Sequence, residues 1–319
     1  MTDFTPAPVS GEQFELVLPR PAGELRAIVT EVGAALRHLS LGGVTLTTGY
    51  GEDTIPPMSS GAILVPWPNR VRDGRWVHDG RTLQLDLSEP RHHNAIHGLL
   101  RSSPYRLVER DTASVTLAAT VFPQRGYPFH LDTRIRYALE SSGLRVTHRV
   151  RNVGAAEAPV AVGAHPYLEI GDVPSDELLV TVAATAHIEV DDRLNPTGVQ
   201  APVLGTEWDL RAGRRVGELE LNDAWADVVL VDGVSTHSLT ATDGRSVVLW
   251  ADPAFNYVQV FITRIFPDGE DVRTAVAVEP MSAPADAFNS GHGLRWLEPG
   301  EEWSLSWGIR AEGFGEERA

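Results

Sequence analysis

Short segments with period-two alternation recur along the whole 319-residue chain, and little between them has the three-to-four-residue spacing of a helix. ELRAIVTE, SVTLAATV, HLDTRIRYALE, GLRVTHRV, DVVLVD, SVVLWAD, YVQVFIT and TAVAVEP are typical, with Gly, Pro, Asn or Asp between successive runs. Alternation at this length marks strands with one face buried. Without intervening helices, such strands pack as antiparallel sheets rather than as βαβ units. LESSGLRV, VRNVGAAEAPV and TATDGRSVVLW read as hairpins, the last around an Asp243-Gly244 turn. GEDTIPPMS and PADAFNSG have room for one helical turn each. The expected architecture is all-β: a large antiparallel two-sheet sandwich, a single domain over residues 1–319 with its core at about 12–311. Two fused sandwiches are the alternative.

Composition removes several kinds of chemistry. The chain has no cysteine, so it has no disulfide, no thiolate nucleophile and no sulfur-ligated metal. It has no lysine either, so all 27 basic residues are arginines and no side-chain amine exists for a Schiff base. A formal charge of −16 repels phosphate backbones and anionic membranes, so neither a nucleic acid nor a membrane is an expected partner. An arginine cluster can still hold one small anion. No apolar run reaches the ~20 residues needed to cross a bilayer, and the start MTDFTPAPVSGEQFELVLP lacks an export signal. A cytoplasmic monomer or homodimer is expected.

Four polar groups stand where a buried strand would not place them. Asn69 and Arg70 follow two prolines in VPWPNRVRDGRW, and proline stiffens the approach to them. HHNAIHGLL holds three histidines; His97 precedes Gly98, which lets another backbone come close. Adjacent His92 and His93 point apart on a strand and match no zinc spacing, so no metal is expected. His165 ends the small-residue run of VAVGAHPYLEI, and Glu279 ends the apolar run of TAVAVEP; a proline follows each. Histidine titrates near neutrality, and partial burial raises a carboxylate's proton affinity, so this pair suits proton transfer. No GxSxG elbow, P-loop or dinucleotide fingerprint is present, and no cofactor is expected. Trp67 and Trp76 are candidates for an aromatic platform, while Trp208, Trp250, Trp303 and Trp307 are read as sheet packing.

PWPNR, NAIHG, GAHPY, YVQVF and AVEP, in this order and spacing over roughly residues 25–310, resemble the aldose 1-epimerase, or galactose mutarotase, family. The AVEPMSAPADAFNSG segment looks most like a bacterial subgroup. The resemblance implies the large galactose-mutarotase β-sandwich and a small monosaccharide as the ligand. It further implies that His165 is general acid and Glu279 general base. Asn69 and Arg70 would bind sugar hydroxyls, His97 would sit near the ring oxygen or C1, and Gln259 would lie on the substrate-facing strand. The implied reaction is interconversion of the α and β anomers of a free aldohexose, such as glucose or galactose, by ring opening.

One position departs from the family pattern. Where the family usually has aspartate, LNDAW has Asn222, with Asp223 next to it, and both are candidate sugar ligands. An amide that turns to suit different hydroxyls would loosen discrimination among sugars. The competing readings are a noncatalytic carbohydrate-binding protein, glycoside cleavage, and an epimerase of an anionic (6-phospho or 6-sulfo) hexose.

Overall fold

The computed structural model describes residues 8–315. Two large antiparallel sheets dominate it, one of nine strands and one of eight. In the nine-stranded sheet, Leu131–Glu140 shows how alternation becomes burial. Leu131, Thr133, Ile135, Tyr137 and Leu139 face inward, while Asp132, Arg134 and Arg136 face solvent. Gly143–Asn152 and Glu302–Glu312 lie beside it in antiparallel register, adding Val146, Val150, Leu305 and Trp307 to the same core. Burying an aliphatic side chain of this size contributes ~1.5–3 kcal/mol. No helix among the described residues is long and apolar enough to cross a membrane.

The eight-stranded sheet carries the polar residues of interest. Its strands are β1 (Ile63–Leu64), β2 (Gly163–Ala164), β3 (Tyr167–Leu168), β4 (Ala184–Val190), β5 (Pro196–Pro202), β6 (Asn222–Val228), β7 (Tyr257–Asp268) and β8 (Asp271–Met281). β7 and β8 form the centre, pairing Gln259 with Glu279 and Val260 with Val278. β6 pairs with β7, setting Ala224 opposite Gln259 and Trp225 opposite Val258. Side chains alternate between faces, so Trp225, Val258, Val260, Val276 and Val278 join the core shared with the nine-stranded sheet. Asn222, Gln259, Phe261 and Glu279 take the opposite face and line a cavity.

The short helical turns form at Pro57–Ser59 and Ala287–Ser290. Two of the three expected hairpins form as well: Leu131–Glu140 with Gly143–Asn152, and Ser235–Thr240 with Ser246–Ala251. VRNVGAAEAPV does not. Ala158–Val160 pairs instead with Arg295–Leu297, because the fully buried Asn152 turns the chain away. The Asn152 side chain donates to the carbonyls of Ala156 (2.8 Å) and Leu297 (2.7 Å) and accepts from the Gly154 N–H (2.9 Å). β8 also runs on through Pro280 to Met281, two residues beyond the strand end read at Glu279.

Asn152→Ala leaves the buried Leu297 carbonyl unpaired and takes a partner from the less buried Ala156 carbonyl and Gly154 N–H, and is expected to cost about 1–3 kcal/mol by denaturant unfolding. Asn152→Asp keeps the acceptor for Gly154 but loses both donors, so its loss should be of similar size.

Candidate active site

Two loops bring the site's first wall to the sheet. Asn69 and His97 both have left-handed backbones, φ +53° and +62°, a region in which Asn and His are enriched among non-glycine residues. They hold one another there. The His97 N–H donates to the Asn69 carbonyl at 2.9 Å, and the Asn69 N–H donates to His97 Nδ1 at 3.2 Å. Gly98 is required beside them, since a Cβ there would lie 2.2 Å from the Val65 carbonyl oxygen. With Nδ1 accepting, the neutral His97 ring carries its proton on Nε2.

His165 and Glu279 form the second wall. His165 directly follows β2, and its backbone is pinned by bonds with Gly61 (2.8 Å) and Ala62 (3.0 Å). Glu279 projects from β8, with Oε1 at 3.4 Å from His165 Nε2. Both side chains are nearly fully buried. Tyr167 stacks on the His165 ring at 5.2 Å, and His97 meets that ring edge-on at 5.2 Å. Burial pushes the Glu279 carboxyl up to about 8, and Arg70 opposes this only in part. Burial pulls the His165 imidazole down to about 3, and it pulls His97 well below the usual histidine range. His165 Nδ1 and Glu279 Oε2 are buried without a protein hydrogen-bond partner among the described residues.

A row of polar side chains closes the third side. Glu89 accepts from Arg70 Nε (2.9 Å) and NH2 (2.8 Å), and it also contacts His92 Nδ1 at 2.9 Å. Arg70 NH1 donates to Asn69 Oδ1 at 3.2 Å. Asn69 Nδ2 donates to Gln259 Oε1, and Gln259 Nε2 to Asn222 Oδ1, each at 2.9 Å. The cavity is open to solvent on one side and measures about 410 Å³, within the range of small-molecule sites.

Seven expected residues therefore meet around one cavity: Asn69, Arg70, His97, His165, Asn222, Gln259 and Glu279. Three others do not. Asp223 lies opposite Val260, so its side chain takes the core side of the sheet. There it contacts His187 Nε2 at 2.9 Å, beneath a His187–Trp208 stack at 4.0 Å. Trp67 and Trp76 are each only 2% exposed and pack on Phe288, so neither offers a platform to a ligand. Asn222 is also less free than its sequence position suggested, because Gln259 holds its oxygen. Glu89 and Arg101 line the cavity without having been singled out. The Glu89-Pro90 pair repeats the carboxylate-before-proline pattern of Glu279 and was the one available signal for Glu89.

Residues 16–310 match the aldose 1-epimerase family. The chain belongs to that family. It is 34% identical over 301 residues to the uncharacterized protein YihR of Escherichia coli K12, covering 90% of this chain and 91% of that protein. It is 32% identical to rat galactose mutarotase over 164 residues, 50% of this chain and 47% of the relative. The fold is shared with the GalM/aldose epimerase homologue from C. elegans, at a TM-score of 0.82, 18% identity and 95% and 100% coverage of the two chains.

In this aldose 1-epimerase family member, His97, His165 and Glu279 bring ligand-capable atoms within 4.8 Å of one another. That clustering alone would suit a cation. The His97 tautomer argues against it: Nδ1 is occupied and Nε2 is protonated, so the neutral ring offers a donor and no free lone pair.

Glu279 also leaves a mark on stability. Its affinity for a proton is higher in the fold than at the ordinary 4.5, so the folded chain keeps a proton that the unfolded chain releases. Stability contributed by this group is thus present below pH 4.5 and lost as pH rises toward about 8. Glu279→Gln is expected to melt above the native protein at pH 7.5, with the gap closing by pH 4 in calorimetric scans.

Proposed function

We propose that the cavity catalyses anomer interconversion of a free aldohexose, with Glu279 as base and His165 as acid. The observation that carries this reading is the buried His165–Glu279 pair, whose facing atoms lie 3.4 Å apart at the cavity wall. In the empty site burial favours the neutral form, protonated Glu279 beside neutral His165. Carboxylate with imidazolium is a tautomer of that form with the same proton count, so the working state forms without a proton from water.

In that state Glu279 takes the proton of the C1 hydroxyl while His165 gives one to the ring oxygen O5. The C1–O5 bond breaks as the C1 carbonyl forms. Rotation about C1–C2 turns the other carbonyl face toward the hydroxyl, and the reverse transfers close the ring as the opposite anomer. The two transfers are coupled because bond cleavage leaves electron density on O5 as C1 loses its hydroxyl proton; positioned transfer contributes ~10²–10⁴-fold. The His97 Nε2 proton and the Arg70 guanidinium are available to steady oxygen as charge builds.

Polarimetry of freshly dissolved α-glucose and α-galactose, with EDTA present, tests the activity. Acceleration unaffected by EDTA is expected; no acceleration on any free sugar would refute the proposal, and a pure binding protein would behave that way. Glu279→Gln and His165→Asn are each expected to lose more than about 100-fold in kcat while sugar binding stays measurable by calorimetry.

The pH profile follows from the same pair. Above about 8 the free enzyme loses the shared proton and has a base without an acid. Below about 3 it gains a second proton and has an acid without a base. Background-corrected kcat/KM is expected to be level from pH 5 to 7 and to fall tenfold per unit above about 8.

A second reading, an anionic hexose, is favoured by Arg101. This guanidinium lines the cavity beside Arg70 and Arg91. Among the described residues its hydrogen-bond partner is Ser59 Oγ at 3.4 Å, while Glu89 is committed to Arg70 and His92. A 6-phosphate or 6-sulfonate would supply the missing anion, a preference that would fit a bacterial subgroup distinct from the galactose mutarotases. Rates on glucose, glucose 6-phosphate and sulfoquinovose decide between the readings. A tenfold higher kcat/KM on one anionic sugar, about 1.4 kcal/mol, establishes the second.

A further inference from the structure

We infer that Asn222 determines specificity by meeting the substrate as a hydrogen-bond donor, with a polarity imposed from Glu89 through a one-way relay of side chains. The inference rests on the reading of this cavity as a sugar site and adds which kind of atom the sugar must present there.

The sense of the relay is set by its one donor-only member. A guanidinium has five N–H groups and no acceptor. Glu89 takes two bonds from Arg70 and fixes its plane, leaving NH1 directed at the Asn69 amide. The Asn69 atom facing Arg70 must be oxygen, so its nitrogen faces Gln259. The Gln259 atom facing Asn69 must then be oxygen, and its nitrogen faces Asn222. Asn222 must in turn give its oxygen to Gln259. A reversed amide at any step would set oxygen against oxygen or nitrogen against nitrogen. Asn69 and Gln259 are 3% and 4% exposed, so water cannot repair that conflict.

The relay ends in the cavity wall. The Asn222 Nδ2 donates to nothing among the described residues, and Asn222 lines the cavity. The substrate substituent that meets it must therefore accept, through a hydroxyl lone pair or an oxyanion. Aspartate at this position could still accept from Gln259 with one oxygen, but its second oxygen would face the sugar as an acceptor and require a hydroxyl proton. Asparagine here thus reverses the polarity of the contact, in addition to removing a charge.

The test compares glucose with its monodeoxy and monodeoxyfluoro analogues at C2, C3, C4 and C6, using calorimetric Kd and polarimetric KM. Fluorine accepts weakly and cannot donate. At one ring position the native protein is expected to lose at least tenfold in affinity for the deoxy sugar and to regain at least threefold with fluorine. In Asn222→Asp the order at that position should invert, the fluoro sugar becoming the poorer ligand. Glu89→Gln, which unfastens Arg70, should shrink the native difference between the two analogues; a purely structural role for Glu89 would weaken both alike. Equal losses for deoxy and fluoro sugars at every position, or an unchanged order in Asn222→Asp, overturn the inference. Glucose that binds without faster anomer exchange would instead refute the mutarotase reading, while the Kd order still decides the relay.

Discussion

The antiparallel register between Tyr257–Asp268 and Asp271–Met281 is the constraint on which the site depends. It sets Gln259 opposite Glu279 on one face and Val260 opposite Val278 on the other. Because the side-chain period is two, a slip of one residue would drive Glu279 into the valine core and turn the valines into the cavity. The neighbours follow from the same register. β6 reads off β7, which puts Asn222 on the cavity face and Asp223 on the core face. β2 and β3 pair with β8, which delivers His165 between them. The hydrophobic effect fixes this register, so the energy that folds the sheet also aims the polar groups.

The same burial leaves the site energetically uncomfortable. Glu279, His165 and Tyr167 each keep a polar atom without a protein partner among the described residues. Elsewhere some buried polar groups find partners, as where the Trp307 indole N–H donates to His148 at 2.8 Å and the Tyr137 hydroxyl donates to the Ala34 carbonyl at 2.6 Å. Others, such as His187 Nδ1 and the Asn195 amide, have none among the described residues. His165 Nδ1 and Glu279 Oε2 differ from these in belonging to residues that line a cavity, where ligand atoms can complete the network.

Much of this was legible in the sequence, and the exceptions have physical reasons. Alternation identified strands such as Leu131–Glu140 because one face meets the core and the other meets water. His165 and Glu279 stood out because a titratable residue at the end of an apolar run, backed by proline, has few structural explanations. Asn222 could not be separated from Asp223, since that choice turns on a register set by a strand more than thirty residues away in sequence. Trp67 and Trp76 misled because an indole near polar motifs looks the same on paper whether it faces a ligand or Phe288. Arg101 carried no signal: its missing counter-ion is a property of the folded surroundings. The VRNVGAAEAPV segment had hairpin composition, but Asn152 spends its side chain on turning the chain toward Leu297.

The reciprocal bonds between Asn69 and His97 make these two residues one thermodynamic unit. Each sits in the left-handed region and is restrained there by the other, through backbone to backbone and backbone to imidazole. Replacing His97 removes the imidazole acceptor and releases Asn69, whereas replacing Asn69 keeps both backbone groups and acts through the new residue's reluctance to adopt a left-handed backbone, which strains the bonds to His97. The two losses therefore overlap, and a double-mutant cycle between them would show strong coupling where separate sugar ligands would simply add. For variation over evolutionary time, the PWPNR and NAIHG segments are joined in the same way: a change in one alters which residues the other can accept.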